Sequence, residues 1–269
     1  MALYINSKAV IIQNYCNMKL QYASDLHLEF PENKELLRIK PLRPEGDILL
    51  LAGDIVPFIE MHEHSDFFDY LSKNFKITYW LPGNHEYYHS DLSERSGYLN
   101  EKIRDNVFLV NNISLQTGNI KLVFSTLWTK ISPVNQFEVQ LRLSDFRVIR
   151  NSGRKLSADE YNLMHDRCLS FLKDEFAGEK QGITIVITHH MPTFQNYPDK
   201  FKGDALNEAF AVELSDLIKA ARPDYWIFGH EHGNKGDFDV GKTRLISNQM
   251  GYVRYNENNR FNEGKIIVV

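Results

Sequence analysis

The sequence predicts an α/β fold: two stacked mixed β-sheets with helices on their outer faces. Three features predict it. Apolar runs recur at 20–23, 48–52, 77–81, 122–125, 183–188 and 225–228, several of them continuous, as expected of strands covered on both faces. Helical periodicity falls between them at 67–74, 91–103, 158–176 and 207–221. Five of the apolar runs also end in a short motif of Asp, Asn, Gly or His. Ligands of open α/β sheets gather at such strand ends.

The run 20–23 follows Met18-Lys19, a clean restart of the chain. We therefore expect one domain over 18–269 and an N-terminal extension over 1–17, the alternative for the latter being an added edge strand. The Ala9-Val10-Ile11-Ile12 stretch is too short for a signal core or a membrane span. Ile48-Leu49-Leu50-Leu51-Ala52 reads as a fully buried strand, and 77–81 as another before Pro82-Gly83. Ser157 and Glu160 form a capping box that starts the 158–176 helix. Pro223 stops the 207–221 helix and hands the chain to the 225–228 strand. Residues 237–240 and 243–247 flank Gly241-Lys242 as a hairpin. No linker, repeat or low-complexity tract interrupts this order.

A chain of 269 residues can bury a sizeable core, and 43% hydrophobic with 25% charged residues is a globular balance. The net charge of −4 argues against a surface that tracks nucleic acid, although a local groove can still be basic. Two cysteines, Cys16 and Cys168, cannot build a zinc ribbon or a disulfide framework. Metal ligands must then be nitrogen and oxygen, and the expected compartment is the reducing cytoplasm.

Six of the ten histidines lie in the strand-end motifs Asp25-Leu26-His27, Gly53-Asp54, Gly83-Asn84-His85-Glu86, His189-His190 and Gly229-His230-Glu231-His232. In extended chain Asp25 and His27 point to one side and converge on one point, and His230 and His232 repeat that spacing. Asp54 follows five apolar residues, where an unpaired carboxylate is costly; beside the other motifs it reads as a carboxylate bridging two metals. Asn84 offers a neutral carbonyl oxygen. Of the two adjacent imidazoles, His189 immediately follows its strand and is the expected ligand, with His190 turned toward substrate or toward the ligands' surroundings. His62 and His64 sit among Glu60, Glu63 and Asp66 and read as solvated. His165 reads as a helix-surface or satisfied, partly buried residue, and nothing supports a role for His89.

With these residues in hand, the chain resembles the calcineurin-like metallophosphoesterase superfamily over 18–269. Within it, the segments 125–129, 144–149 and 243–248 with Gly251-Tyr252 resemble a bacterial subgroup of predicted phosphohydrolases. The resemblance implies a four-layer α/β sandwich with two divalent metal ions at the strand ends. One ion would be held by Asp25, His27, Asp54 and His232, the other by Asp54, Asn84, His189 and His230, and His85 would assist the leaving group. Oxygen and nitrogen ligands suit Mn, Fe, Zn or Co.

The expected reaction is hydrolysis of small phosphomonoesters or phosphodiesters, including nucleotides, by in-line attack of a metal-bridging hydroxide. Alternatives are a nuclease or a non-catalytic scaffold of the same fold. Two segments are candidates for substrate contact. One is 193–205, with Phe194, Tyr197, Phe201, Lys200 and Lys202; the other is 137–150, where Arg147 either meets a phosphate or forms a structural ion pair. No membrane partner is expected.

Overall fold

The computed structural model describes residues 18–198 and 201–269; the extension expected over 1–17 lies outside them. In chain order the elements are β1 (Lys19–Ala23), α1 (Pro31–Ile39), β2 (Ile48–Ala52), α2 (Ser65–Asn74), β3 (Ile77–Leu81), β4 (Leu99–Arg104), β5 (Val107–Asn111), β6 (Ile113–Thr117), β7 (Ile120–Ser125), α3 (Gln136–Arg142), α4 (Asp145–Val148), β8 (Arg150–Asn151), β9 (Arg154–Lys155), α5 (Ala158–Phe176), β10 (Ile183–Thr188), α6 (Asn207–Phe210), α7 (Ser215–Ala221), β11 (Tyr225–Phe228), β12 (Phe238–Val240), β13 (Thr243–Ser247) and β14 (Ile266–Val268).

Two six-stranded sheets run β14-β1-β2-β3-β5-β4 and β12-β13-β11-β10-β7-β6. Each has a parallel centre, β1-β2-β3-β5 in one and β13-β11-β10-β7 in the other. An antiparallel strand closes every edge. The period-2 alternation of side chains builds the layers. Ile48, Leu50 and Ala52 of β2 face Ile185, Ile187 and Ile246 between the sheets. Leu49 and Leu51 of the same strand pack outward with Leu37 of α1 and with Phe68 and Leu71 of α2. On the far side Val186 and Trp226 pack against Cys168 and Leu172 of α5 and Ile218 of α7. The order helix, sheet, sheet, helix is the four-layer sandwich expected.

Two helices depart from expectation. Residues 91–103 hold a turn and then β4. Gly97 takes φ +72°, which no α-helix accommodates, and Leu99, Asn100 and Glu101 pair with Asn111, Val110 and Leu109 of β5. The Asp91 carboxylate fixes the turn by accepting from the backbone of Ser93, Ser152 and Gly153. The 207–221 helix is broken into α6 and α7. Ala211 is extended there, and Val212 N donates to Met191 O at 3.0 Å, so the segment anchors the loop just beyond His189 and His190. The 158–176 helix stands as expected, with both halves of its Ser157–Glu160 capping box made.

Candidate metal centre

The loops after β1, β2, β3, β10 and β11 meet at one end of the two sheets. Asp25, His27, Asp54 and His232 bring ligand atoms within 4.8 Å of one another, and so do Asp54, His189 and His230. Asn84 joins the second set, its Oδ1 3.1 Å from His189 Nε2. Asp54 belongs to both: Oδ1 lies 3.3 Å from His189 Nε2 and Oδ2 lies 3.7 Å from His27 Nε2. All seven side chains singled out as ligands by sequence thus fall into two adjoining sets that share one carboxylate.

The backbone reaches this arrangement by a route the spacing argument missed. Asp25, His27, Asp54, His230 and His232 all have positive φ, between 46° and 78°. They occupy the left-handed region, which non-glycine residues seldom adopt. Asp25 and His27 therefore converge through a tight turn rather than across an extended strand. His230 and His232 do not converge on one point at all; one joins His189 and the other joins Asp25 and His27. Two glycines make room. A Cβ on Gly53 would collide with the His189 imidazole, and one on Gly83 with the Asp54 carboxylate.

Hydrogen bonds around the ligands fix their tautomers. His27 Nδ1 donates to Glu29 Oε1 (3.0 Å), His232 Nδ1 to Glu257 Oε2 (2.7 Å) and His189 Nδ1 to Ala52 O (3.0 Å). Each Nε2 is then turned inward, the arrangement by which outer partners orient metal-binding imidazoles. Two such nitrogens, on His27 and His232, stand 3.0 Å apart, as do His189 Nε2 and His230 Nδ1. Lone pairs that close need a proton or a cation between them. Asp25 Oδ2 is also buried with no hydrogen-bond partner. Nitrogen and carboxylate donors in this state fit a pair of divalent ions.

Electrostatics agree with that fit. Burial opposes the charge on Asp54, yet His189, His85 and His27 hold its carboxyl well below the usual range. Burial drives His27 and His230 downward, toward the neutral imidazole a metal binds. Asn84 Nδ2 donates to Asp145 Oδ1 at 3.0 Å, which turns the carbonyl oxygen of the amide toward His189.

His85 lies beside both sets. Its Nδ1 donates to Glu29 Oε1 at 2.9 Å, its ring stacks on Tyr88 with centroids 4.0 Å apart, and its Nε2 is 3.4 Å from the Tyr252 hydroxyl. Burial pulls the imidazole down, but Asp54 and Glu29 outweigh it and raise its pKa. Glu86 is fully buried and accepts from the backbone N–H groups of Asp54, Ile55 and Gly83 and from the Trp80 indole. It ties the loop after β2 to the loop after β3. Sequence reasoning gave Glu29, Glu86 and Glu257 no role and Asp145 only that of an ion-pair partner for Arg147, whereas it accepts from Asn84 and Tyr88; the signals present were the two-residue step from His27 to Glu29 and the last position of Gly83-Asn84-His85-Glu86.

The remaining expectations divide. His190 is fully buried against His230, its Nδ1 donating to Thr126 O at 3.1 Å, so of its two expected places it takes the ligands' surroundings. Arg147 is spent on Ser144 Oγ and Leu141 O at the surface. His64 is buried rather than solvated, whereas His62 is exposed. His165 donates to Trp128 O from a buried position on α5. Of the 193–205 segment, Tyr197 and Phe201 line a cavity of about 500 Å³ together with Asp54, Asn84, His85, His230 and His232; Lys200 lies outside the described residues. No described helix is long and apolar enough to cross a membrane.

The strand-end ligand sets and the double-sheet sandwich define a metallophosphoesterase architecture. The chain belongs to the calcineurin-like phosphoesterase family, which matches it over residues 18–234. An uncharacterised protein, L509 of Acanthamoeba polyphaga mimivirus, is 28% identical over 270 residues, covering 90% of this chain and 94% of that one. The crystal structure of a phosphopantetheinyl hydrolase from Mycobacterium tuberculosis shares the fold, with a TM-score of 0.68 and 16% identity over 94% of this chain and 96% of the other.

Proposed function

We propose that the protein hydrolyses small phosphate esters, monoesters or diesters, at a binuclear metal centre. The observation that carries this reading is the Asp54 carboxylate, whose two oxygens face different ligand sets. Asp25, His27, Asp54 and His232 would hold one ion, and Asp54, Asn84, His189 and His230 the other. When bound, such a pair supplies Lewis acidity toward phosphate oxygens and a water acidic enough to act as nucleophile near neutral pH.

The chain's own residues do the rest. Glu29 anchors Nδ1 of His85, so Nε2 is the nitrogen available to the cavity. Asp54 and Glu29 raise the imidazole's pKa against the pull of burial, and Nε2 is the atom that donates a proton to the departing alkoxide. Stacking on Tyr88 fixes the ring plane during this transfer. The size of the cavity supports a small ester over a nucleic acid, since ligand pockets of roughly 300–1,000 Å³ enclose single small molecules.

The test is His85→Ala assayed on two esters with Mn²⁺ added. Turnover of an alkyl phosphate should fall by about 10²–10⁴, the usual worth of a general acid. Nitrophenyl phosphate, whose leaving group needs no proton, should lose far less. Equal losses on both substrates would remove the acid role from His85, and no turnover of any ester by the metal-loaded parent protein would remove the hydrolase reading.

A further inference from the structure

Two contacts of His85 lead, through a single carboxylate oxygen each, to side chains of different ligand sets. On one side Glu29 Oε1 accepts from His85 Nδ1 at 2.9 Å and from His27 Nδ1 at 3.0 Å. The two rings meet edge to face around it, with centroids 4.5 Å apart. Glu29 Oε2 is buried with no hydrogen-bond partner among the described residues, so both bonds run through the one shared atom. On the other side Asp145 Oδ1 accepts from Asn84 Nδ2 at 3.0 Å and from the Tyr88 hydroxyl at 2.9 Å. Tyr88 is the ring on which His85 stacks.

Neither junction is free to drift. Leu28 N donates to Ile55 O at 2.9 Å and Phe30 N to His27 O at 3.1 Å, which pins the backbone on both sides of Glu29. The Leu28 side chain is buried in the core beneath α1 and α2. Asp145 is buried at the start of α4, and His89 N, next to Tyr88, donates to Val148 O at the end of that helix. An oxygen that accepts two donors couples them, since a shift of one changes the bond left to the other.

We propose that Glu29 and Asp145 are positioning residues that tie His85 to both ligand sets, so that the proton donor takes its working pose only when both sets are assembled. The proposal rests on the hydrolase reading above and adds the device that places its acid. The two junctions carry different signatures. Glu29 holds a ligand and the acid at once, whereas the Tyr88 hydroxyl relays Asp145 to the acid alone.

The experiment compares Glu29→Ala, Glu29→Gln and Tyr88→Phe with the parent, each as the full chain. Metal titration is paired with turnover of an alkyl phosphate and of nitrophenyl phosphate at saturating Mn²⁺. NMR of the histidine ring N–H protons is recorded on the zinc-loaded protein, Zn²⁺ having a filled d shell. Glu29→Ala should lower affinity for one of the two ions by about 10–100-fold and expose the ring N–H protons of both His27 and His85 to exchange. It should also slow the alkyl phosphate by about 10²-fold, the usual cost of misplacing a reacting group by about 1 Å, with far less effect on nitrophenyl phosphate. Glu29→Gln keeps an oxygen at the shared position and should recover both N–H signals and most of the metal affinity. Tyr88→Phe keeps the stacked ring and should slow the alkyl phosphate while leaving metal affinity unchanged. In a His85→Ala background, neither Glu29→Ala nor Tyr88→Phe should slow the alkyl phosphate further at saturating metal. Thermal melts check that each variant folds. Exposure of only one of the two N–H protons in Glu29→Ala, or losses that add to that of His85→Ala, would overturn the proposal while leaving the hydrolase reading intact. The absence of any hydrolysis by the metal-loaded parent would refute both.

Discussion

Replacing Glu86 by glutamine is a change of one oxygen to one NH₂ at nearly constant volume, and the structure sets its cost. Oε1 accepts from Ile55 N at 2.7 Å and Trp80 Nε1 at 2.9 Å, while Oε2 accepts from Asp54 N at 2.9 Å and Gly83 N at 2.6 Å. Burial and the Asp54 charge push the Glu86 carboxyl up to about 7, yet all four partners are donors, so the ionised carboxylate is the form that satisfies them. Whichever way a glutamine amide is turned, its NH₂ faces two buried N–H groups. Each buried donor left without an acceptor costs about 1–3 kcal/mol, so two give roughly 2–6 kcal/mol, with about 3 kcal/mol a fair expectation. The consequence extends to the centre, because the same bonds set the Asp54 loop against the Gly83-Asn84 loop. Loss of partners around metal ligands typically lowers metal affinity by about 10–100-fold. Urea denaturation of the metal-free protein, compared at equal m-value, measures the first effect and metal titration the second. A Glu86→Gln protein within about 1 kcal/mol of the parent, with unchanged metal affinity, would refute the claim that this carboxylate organises the two loops.

The remaining predictions concern protons, a helix start and the reaction. Without metal, burial lowers both His189 and His232, but Asp54 lifts the first to about 9 and Asp25 with Glu257 lifts the second to about 10. Both values stand above the ordinary 6.5, so the stabilisation they contribute is complete below about pH 6.5 and is lost as pH rises through 9 to 10. The melting temperature of the metal-free protein should therefore fall over that window; a flat or rising profile would contradict it. The same two imidazoles must shed their protons to bind metal, so loading at pH 7 should release about two protons, readable by calorimetry in buffers of differing ionisation enthalpy. Ser157→Ala removes the capping box of α5 and should cost about 1 kcal/mol in urea denaturation without altering metal stoichiometry. The substrate-dependent loss in His85→Ala completes the set.

The parts of this architecture legible in the sequence are those whose physics is local. Buried parallel strands such as β2 and β10 are continuous apolar runs because both faces are covered. The helix α5 announces its start through Ser157 and Glu160. Edge strands β4, β6 and β14 are partly exposed and lack that signature. In 91–103 the apolar spacing mimicked a helix until cross-strand pairing with β5 decided the conformation. The centre divides in the same way. Its ligand side chains stand in compact motifs at strand ends, so they could be read one motif at a time. Asp145 serves Asn84 across 61 positions and Glu257 serves His232 across 25, and no local pattern carries that information. The separation of His230 from His232 depends on left-handed backbone at both residues, which the two-residue spacing alone pointed away from.

The binuclear centre depends on the sharing of Asp54 between two ions, and counting bound metal in the parent protein and in Asp54→Ala tests that sharing most directly. Elemental analysis after equilibrium dialysis, paired with anomalous diffraction to locate the ions, should find two per chain in the parent, one against His27 and His232 and one against His189 and His230. The variant should hold fewer than two. A single ion in the parent, or two retained by the variant, would contradict the shared-carboxylate centre.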